Sequence, residues 1–441
     1  MQRNQGLPTA ESLQRRLSLF QAIDRTSLPW RLKKRFHRIL FPSYIDILDR
    51  DSQCRPILFV SPNLPYPDRG GTDFRLGHIL NATVLAGYSI SFLSLCERDL
   101  LAGSFCKMED LGRLEDFLKY EKSLREIPVS HLMYGVDALE KVLKKNPEAF
   151  SAFFISWPKS VKAILSIIKR HAPNIPVIYD MVDYHALRLE RQADLLSDIK
   201  IKAKANEFQS LESESARRTD LTLAISEEEK NIFLRTTPSV KVDVLGNYFE
   251  VPEEPCPGSK NRTGMLFVGS FVHAPNVDSV LWFAQEIFPL IKKRHPSIVF
   301  HVAGNRPPPE ILALSKDPNI KIYGWVPDLT ELFRSARVFV APLRYGAGVK
   351  GKIGLSMAYG LPVVTTGIGI EGMDLTVGED CEVAELPEEF AEKTERLLSD
   401  DHYWESLSNQ GRLQMIRKSS TKSLPNKMRE IFESLGVAPL K

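Results

Sequence analysis

The sequence predicts an α/β protein of two Rossmann-like domains whose parallel sheets face a central cleft. Three observations predict it. Short apolar runs alternate with helix-length amphipathic segments along most of the 441 residues, the pattern of parallel sheets covered by helices. The alternation is interrupted between residues 247 and 262, where three prolines and few apolar residues read as a linker, and then starts afresh. At about 150 residues per domain, a chain of this length holds two or three domains.

In the first series, residues 56–60 read as a strand, followed by a loop rich in proline and glycine that ends in Gly70 and Gly71. A helix over 72–86 places Leu76, Ile79, Leu80 and Val84 on one face. Gly87 ends it, and 88–93 is the next strand, completing a βαβ unit. Strands follow at 152–156, 176–180 and 221–226, with helices at 161–170 and 198–218. Ser226 with Glu227, Glu228 and Glu229 is a cap and an acidic first turn for a further helix. The second series has strands at 265–269, 298–304, 320–324, 338–342 and 361–366, and helices at 276–293, 329–336 and 352–359. The expected division is a basic helical extension at 1–54, a first domain at 55–250 and a second at 251–441.

Composition narrows the function. Lysine and arginine exceed aspartate and glutamate by 58 − 55 = 3, too balanced for wholesale nucleic-acid binding. Cys54, Cys96, Cys106, Cys256 and Cys381 are scattered and form no CxxC, so neither a disulfide framework nor a zinc site is expected. No run approaches the roughly 18 apolar residues of a membrane span, and residues 1–8 lack the apolar core of a signal peptide. A cytoplasmic location follows as the expectation. Residues 13–41 are basic and apolar, broken by Pro29, and 30–41 form a basic amphipathic helix. Such a helix either lies on an anionic membrane face or packs on its domain and solvates its charges.

The segment with the most chemistry runs from Ala341 to Ile353, after a strand and into a helix. Gly346, Gly348 and Gly351 let backbone approach a ligand, a helix start attracts an anion, and Lys350 and Lys352 add charge suited to a diphosphate. The GxxxxGK[ST] spacing is missing, and the loop follows a late strand, so neither a Walker loop nor a dinucleotide fingerprint fits. In the first domain, Asp183, His185 and Arg188 follow the strand at 176–180, where an α/β sheet presents ligand-binding groups. The alternative there is a capping aspartate and a solvated helix. Gly70 and Gly71 either admit a ligand to the backbone or make a tight turn. His273 and His301 read as structural, no His/Asp/Glu cluster has metal spacing, and the Asp49-Arg50-Asp51 triplet lacks the strand context of a metal-diphosphate site.

Residues 346–353, 356–366 and 369–372 together resemble the donor-binding core of family 4 glycosyltransferases of the GT-B fold. Residues 267–270, 302–304 and 323–328 sit in the matching order, and 67–71 and 220–226 are similar to the family's first domain. The resemblance covers about residues 56–415. It implies retaining transfer from a nucleotide-sugar to a glycan or lipid-linked acceptor, in surface polysaccharide or glycoconjugate synthesis, with no cofactor and no tightly bound metal. It implies that Lys350 and Lys352 neutralise the departing diphosphate, that Gly269 and Ser270 lie by the phosphates, and that Glu371 and Gly372 lie by the sugar or nucleotide. His185 and Asp183 are the candidate catalytic pair, with Gly70, Gly71 and Arg188 on the acceptor side. Two departures stand out. Ala347 and Leu355 occupy the positions where many members carry glutamates, and no Arg/Lys pair follows the first strand of the second domain. A sugar-nucleotide epimerase or hydrolase on the same fold, and a catalytically silent partner in a polysaccharide assembly complex, remain as alternatives.

Overall fold

In the computed structural model, residues 7–47, 55–66, 71–107 and 114–440 are described. Gly70, the loop residues 67–69 and the Asp49-Arg50-Asp51 triplet lie outside them. The first sheet has eight strands: β1 (Tyr44–Ile47), β2 (Ile57–Ser61), β3 (Ile90–Ser94), β4 (Val129–Tyr134), β5 (Ala152–Ser156), β6 (Val177–Asp180), β7 (Leu221–Ala224) and β8 (Val242–Val244). Their order is β1-β4-β3-β2-β5-β6-β7-β8, parallel except for β1 against β4. The second sheet has six: β9 (Met265–Val268), β10 (Phe300–Ala303), β11 (Ile320–Gly324), β12 (Val338–Ala341), β13 (Val363–Thr365) and β14 (Glu382–Val383). They run β11-β10-β9-β12-β13-β14, all parallel.

Both orders are doubly wound. The chain reverses direction across the sheet between β2 and β5 in the first domain and between β9 and β12 in the second. Ligand crevices open at such switch points, beyond the carboxyl ends of the strands. The central strands β2, β3, β5 and β6 are buried at every position, as helices on both faces require.

Two parts of the expected division differ. The described residues 7–47 pack on the first domain: β1 adds an antiparallel edge to the first sheet, and Leu13, from the helix Ala10–Asp24, is fully buried in the first domain's core. The C-terminal helix Leu424–Glu433 returns to the first domain, where Leu424, Met428, Ile431 and Phe432 join that same core. Its apolar face fits beside Tyr88, whose ring lies 5.0 Å from that of Phe432. The helix expected at 276–293 runs as Ala274–Trp282, a wider π turn at Phe283–Ile287, and Phe288–Arg294. Pro289 explains the break, since it has no amide to donate into a regular ladder. Among the described residues, no helix is long and apolar enough to cross a membrane.

Candidate active site

The second domain's wall of the cleft is mostly main chain. Gly269 follows β9, and the loop 342–350 follows β12, so the two flank the switch point. Gly348 has φ +73° and Gly346 φ +152°, a region that favours glycine. A Cβ at Gly269 would come within 2.9 Å of both the Asn276 side chain and Lys352 Nζ. Lys350 stands at the cap of the helix Gly351–Ala358 and gives its first turn no side-chain hydrogen bond. The amino end is therefore left for an anion.

Both lysines turn into this corner. Lys350 Nζ donates to the Ala347 carbonyl at 3.1 Å and to the Gly348 carbonyl. Lys352 Nζ donates to Asn276 Oδ1 and lies 4.3 Å from the centroid of the Phe267 ring. Asn276 Nδ2 in turn donates to the Ser270 carbonyl at 2.7 Å, which ties the two loops together. Burial pulls the Lys350 ammonium below its ordinary value, against the charges of Glu371, Asp183 and Glu229. Burial and then the Lys350 charge pull Lys352 down to about 7. Concentrated positive charge in a poorly hydrated corner is costly until an anion arrives.

The first domain's wall is made of side chains. Asp180, at the end of β6, is held by a buried two-pronged contact from Arg75 at 2.8 and 3.0 Å, and Arg75 also donates to the Leu245 carbonyl at 2.7 Å. Asp183 Oδ2 accepts from Arg188 Nε at 2.9 Å. Against burial, nearby His185, Arg188 and Lys350 hold the Asp183 carboxyl below its ordinary value. His185 opens the helix His185–Leu196, its ring stacked 5.3 Å from Phe208 and tilted by 60° against Trp157 at 4.9 Å. Its Nδ1 faces Glu212 Oε1 at 3.0 Å, while the Glu212 carboxylate also accepts the His185 and Ala186 amides at 2.9 and 3.2 Å. Donation from Nδ1 to that carboxylate leaves Nε2 as the basic nitrogen.

The walls touch at the loop. Arg191 grips Glu371 with two hydrogen bonds of 2.5 Å and donates to the Gly346 carbonyl at 2.8 Å. Burial raises the Glu371 carboxyl, but Arg191 and Lys350 outweigh it and leave it below its ordinary value. Gly348 donates its amide to Glu229 at 2.6 Å and Gly372 to Glu228 at 3.0 Å. His273 opens to the cleft; burial of its ring, then Arg188 and Lys352, lower its imidazole.

Residues 262–400 match the family model described as Glycosyl transferases group 1. A sucrose-phosphate synthase from Thermosynechococcus elongatus superposes with a TM-score of 0.63 at 13% identity, over 87% of this chain and 99% of that one. Anabaena HepE, solved in complex with UDP and glucose, gives 0.62 at 14%, over 86% of this chain and 100% of that one. The fold is that of the GT-B glycosyltransferases. TarM gives a TM-score of 0.56 at 17% identity, over 67% of this chain and 57% of TarM. A Klebsiella pneumoniae protein described as an "Uncharacterized 44.6 kDa protein in cps region" is 29% identical over 134 residues, 28% of this chain and 34% of that protein. The match thus spans about a third of that curated relative.

On the GT-B frame, Gly269, Ser270, Gly346, Gly348, Lys350 and Lys352 gather at the second domain's switch point. Glu371 and Gly372 lie on the seam, with Gly372 (φ +74°) against Ser226. Asp183 and Arg188 face them from the first domain. His185 lies deeper, between aromatic rings, 5% exposed. Gly71 begins the helix Gly71–Leu85, with open space where a Cβ would project. Sequence reasoning did not single out Asn276, Arg191, Glu212 or Glu229. Arg191 follows Arg188 by three residues, one helical turn, and that spacing was the available signal. Among the described residues, no group of three or more His, Cys, Asp or Glu is placed to hold a metal ion.

Proposed function

We propose that this chain is a retaining, metal-independent glycosyltransferase of the family 4 type. It takes a sugar from a nucleotide-sugar donor to a glycan or lipid-linked acceptor, in the synthesis of surface polysaccharide or glycoconjugate. The observation that carries this reading is the paired Lys350 and Lys352 at an open helix start beside the Gly269 loop, at the switch point of a GT-B fold. A leaving diphosphate gains charge as its bond to the sugar breaks, and preorganised ammonium groups and amides act where that charge grows. Asp183 and His185 supply the opposite side, with Glu212 fixing the ring, and Arg188 and Gly71 border the acceptor. The cps-region relative supports the polysaccharide setting, and HepE, solved with UDP and glucose, makes UDP the first nucleotide to test.

The reaction takes place at the cytoplasmic face of a membrane. The helix Trp30–Leu40 turns Leu32, Phe36 and Ile39 outward, 43%, 43% and 67% exposed, with Arg31, Lys34 and Arg35 exposed beside them. Apolar side chains at i, i+4 and i+7 flanked by basic ones suit an anionic lipid surface.

The test is incubation with UDP-sugars and membrane-extracted or oligosaccharide acceptors, with and without EDTA, reading the anomeric configuration by NMR. Transfer with retention, unaffected by EDTA, is the expected result. Inverted product contradicts retention. Free sugar or an epimer formed without acceptor identifies the hydrolase or epimerase. Nucleotide binding without turnover identifies a silent partner, the reading favoured by Ala347 and Leu355.

A further inference from the structure

Glu229 is a buried carboxylate in the cleft with half of its bonding capacity unused. It sits in the first turn of the helix Glu227–Thr236, where its amide donates to Ser226 Oγ at 3.1 Å and its side chain is 3% exposed. Oε1 accepts the Gly348 amide at 2.6 Å. Oε2 is buried and makes no hydrogen bond. Asp183 repeats the pattern: Oδ2 is held by Arg188, while Oδ1 is buried without a hydrogen bond. The two carboxylates flank one glycine, since a Cβ on Gly348 would lie 3.4 Å from Asp183 Oδ1 and 3.9 Å from Glu229 Oε1. Buried acceptors left open are costly, and two of them facing one glycine in a cleft are a place where a ligand can complete them.

The chemistry of the ligand follows from the surroundings. A second anion is repelled by two carboxyl groups. A metal cation is disfavoured by Lys350, whose charge acts on both Asp183 and Glu229. Neutral hydroxyl groups satisfy open carboxylate oxygens without adding charge. Burial, then the Asp183 charge, pushes the Glu229 carboxyl above its ordinary value, against the Gly348 amide and Lys350. Hydroxyls on adjacent carbons can donate one proton to each of the two open oxygens.

We propose that Asp183 and Glu229 form the sugar-hydroxyl subsite of this cleft and set which sugar is accepted, while Lys350 and Lys352 hold the diphosphate. The assignment rests on the nucleotide-sugar reading above. It also places a carboxylate from the first domain beside the loop in which Ala347 carries none.

The test is titration calorimetry of the full chain and of the variants Glu229→Gln and Asp183→Asn with UDP, GDP and ADP, each alone and as its hexose conjugates. Both variants keep an oxygen for Gly348 or Arg188 and replace the open acceptor by an NH2 group. In the wild type, one conjugate binds more tightly than its nucleotide. In both variants the nucleotide alone keeps its affinity within about twofold, and the added affinity from the sugar falls about tenfold. Retention of that sugar increment by both variants overturns the subsite while leaving the donor reading intact. A wild type that binds nucleotides but gains nothing from any hexose also overturns it. A wild type that binds no nucleotide removes the donor reading, and the subsite with it.

Discussion

The two walls of the cleft are built on different principles. The second domain's wall comes from two loops, at Gly269–Ser270 and 342–350, and its parts are glycines, a helix start and two lysines. The first domain's wall draws on the helix holding Arg75, the end of β6, the helix His185–Leu196, Glu212 and Glu229. Most of the anion site, from Gly346 to Lys352, comes from one stretch of sequence. A side-chain wall needs the whole domain folded, because its members meet only through tertiary packing. The first wall therefore carries stability and sugar recognition together, whereas the second carries charge at a cost to stability.

The strongest way to break this contrast is at Asp180. Asp180→Ala leaves Arg75 buried without its partner, and removing one member of a buried pair costs about 3–5 kcal/mol. Chemical denaturation checks this, and a change near zero would remove the structural role given to the first wall. Lys352 predicts the opposite sign. Its folded-state value of about 7 lies below the ordinary lysine value, so protonation opposes folding, fully below about pH 7 and progressively less as pH rises toward about 10.4. Lys352→Met should therefore raise the melting temperature at pH 6.5 while weakening nucleotide binding. Because a bound diphosphate requires the charged amine, wild-type affinity for UDP should fall about tenfold per pH unit above 7, and Lys352→Met should flatten that slope. A pH-independent wild type would contradict the buried-charge account. The smallest effect belongs to the outer surface. Replacing Phe36 and Ile39 together by serine should weaken binding to anionic vesicles by about tenfold and leave nucleotide affinity unchanged. Equal vesicle binding by both proteins would return the helix to a purely structural role.

The same contrast explains what was legible in the sequence. The strands β9, β10, β12 and β13 are largely apolar runs bounded by glycine or proline, β11 alternates Ile320 and Ile322 with exposed Lys321 and Tyr323, and each was visible. The strand β4 carries Ser130 and His131, and β14 has only two residues, so neither has a readable period. The helix Leu424–Glu433 reads as amphipathic, but nothing local says that its apolar face crosses back to Tyr88. Within the site, Lys350 and Lys352 announce themselves beside glycines. Glu229 was hidden because it is also a proper first-turn glutamate, capped by Ser226. Its second task depends on Gly348, 119 residues away. His185 was visible as a histidine after a strand, but its Glu212 partner lies inside the long helix Ile199–Arg217, among residues that read as ordinary helix surface.

The central claim is that the loop from Gly346 to Lys352 holds a nucleoside diphosphate. The direct measurement is thermal shift and titration calorimetry with UDP, GDP and ADP on the wild type and on Lys350→Ala. A ligand that binds only the folded state raises the melting temperature. One nucleotide should stabilise the wild type, and Lys350→Ala should bind it more weakly by about 1.5–3 kcal/mol, the worth of a hydrogen bond to a charged group. Equal affinity in the two proteins, or no shift with any of the three nucleotides, would contradict the claim.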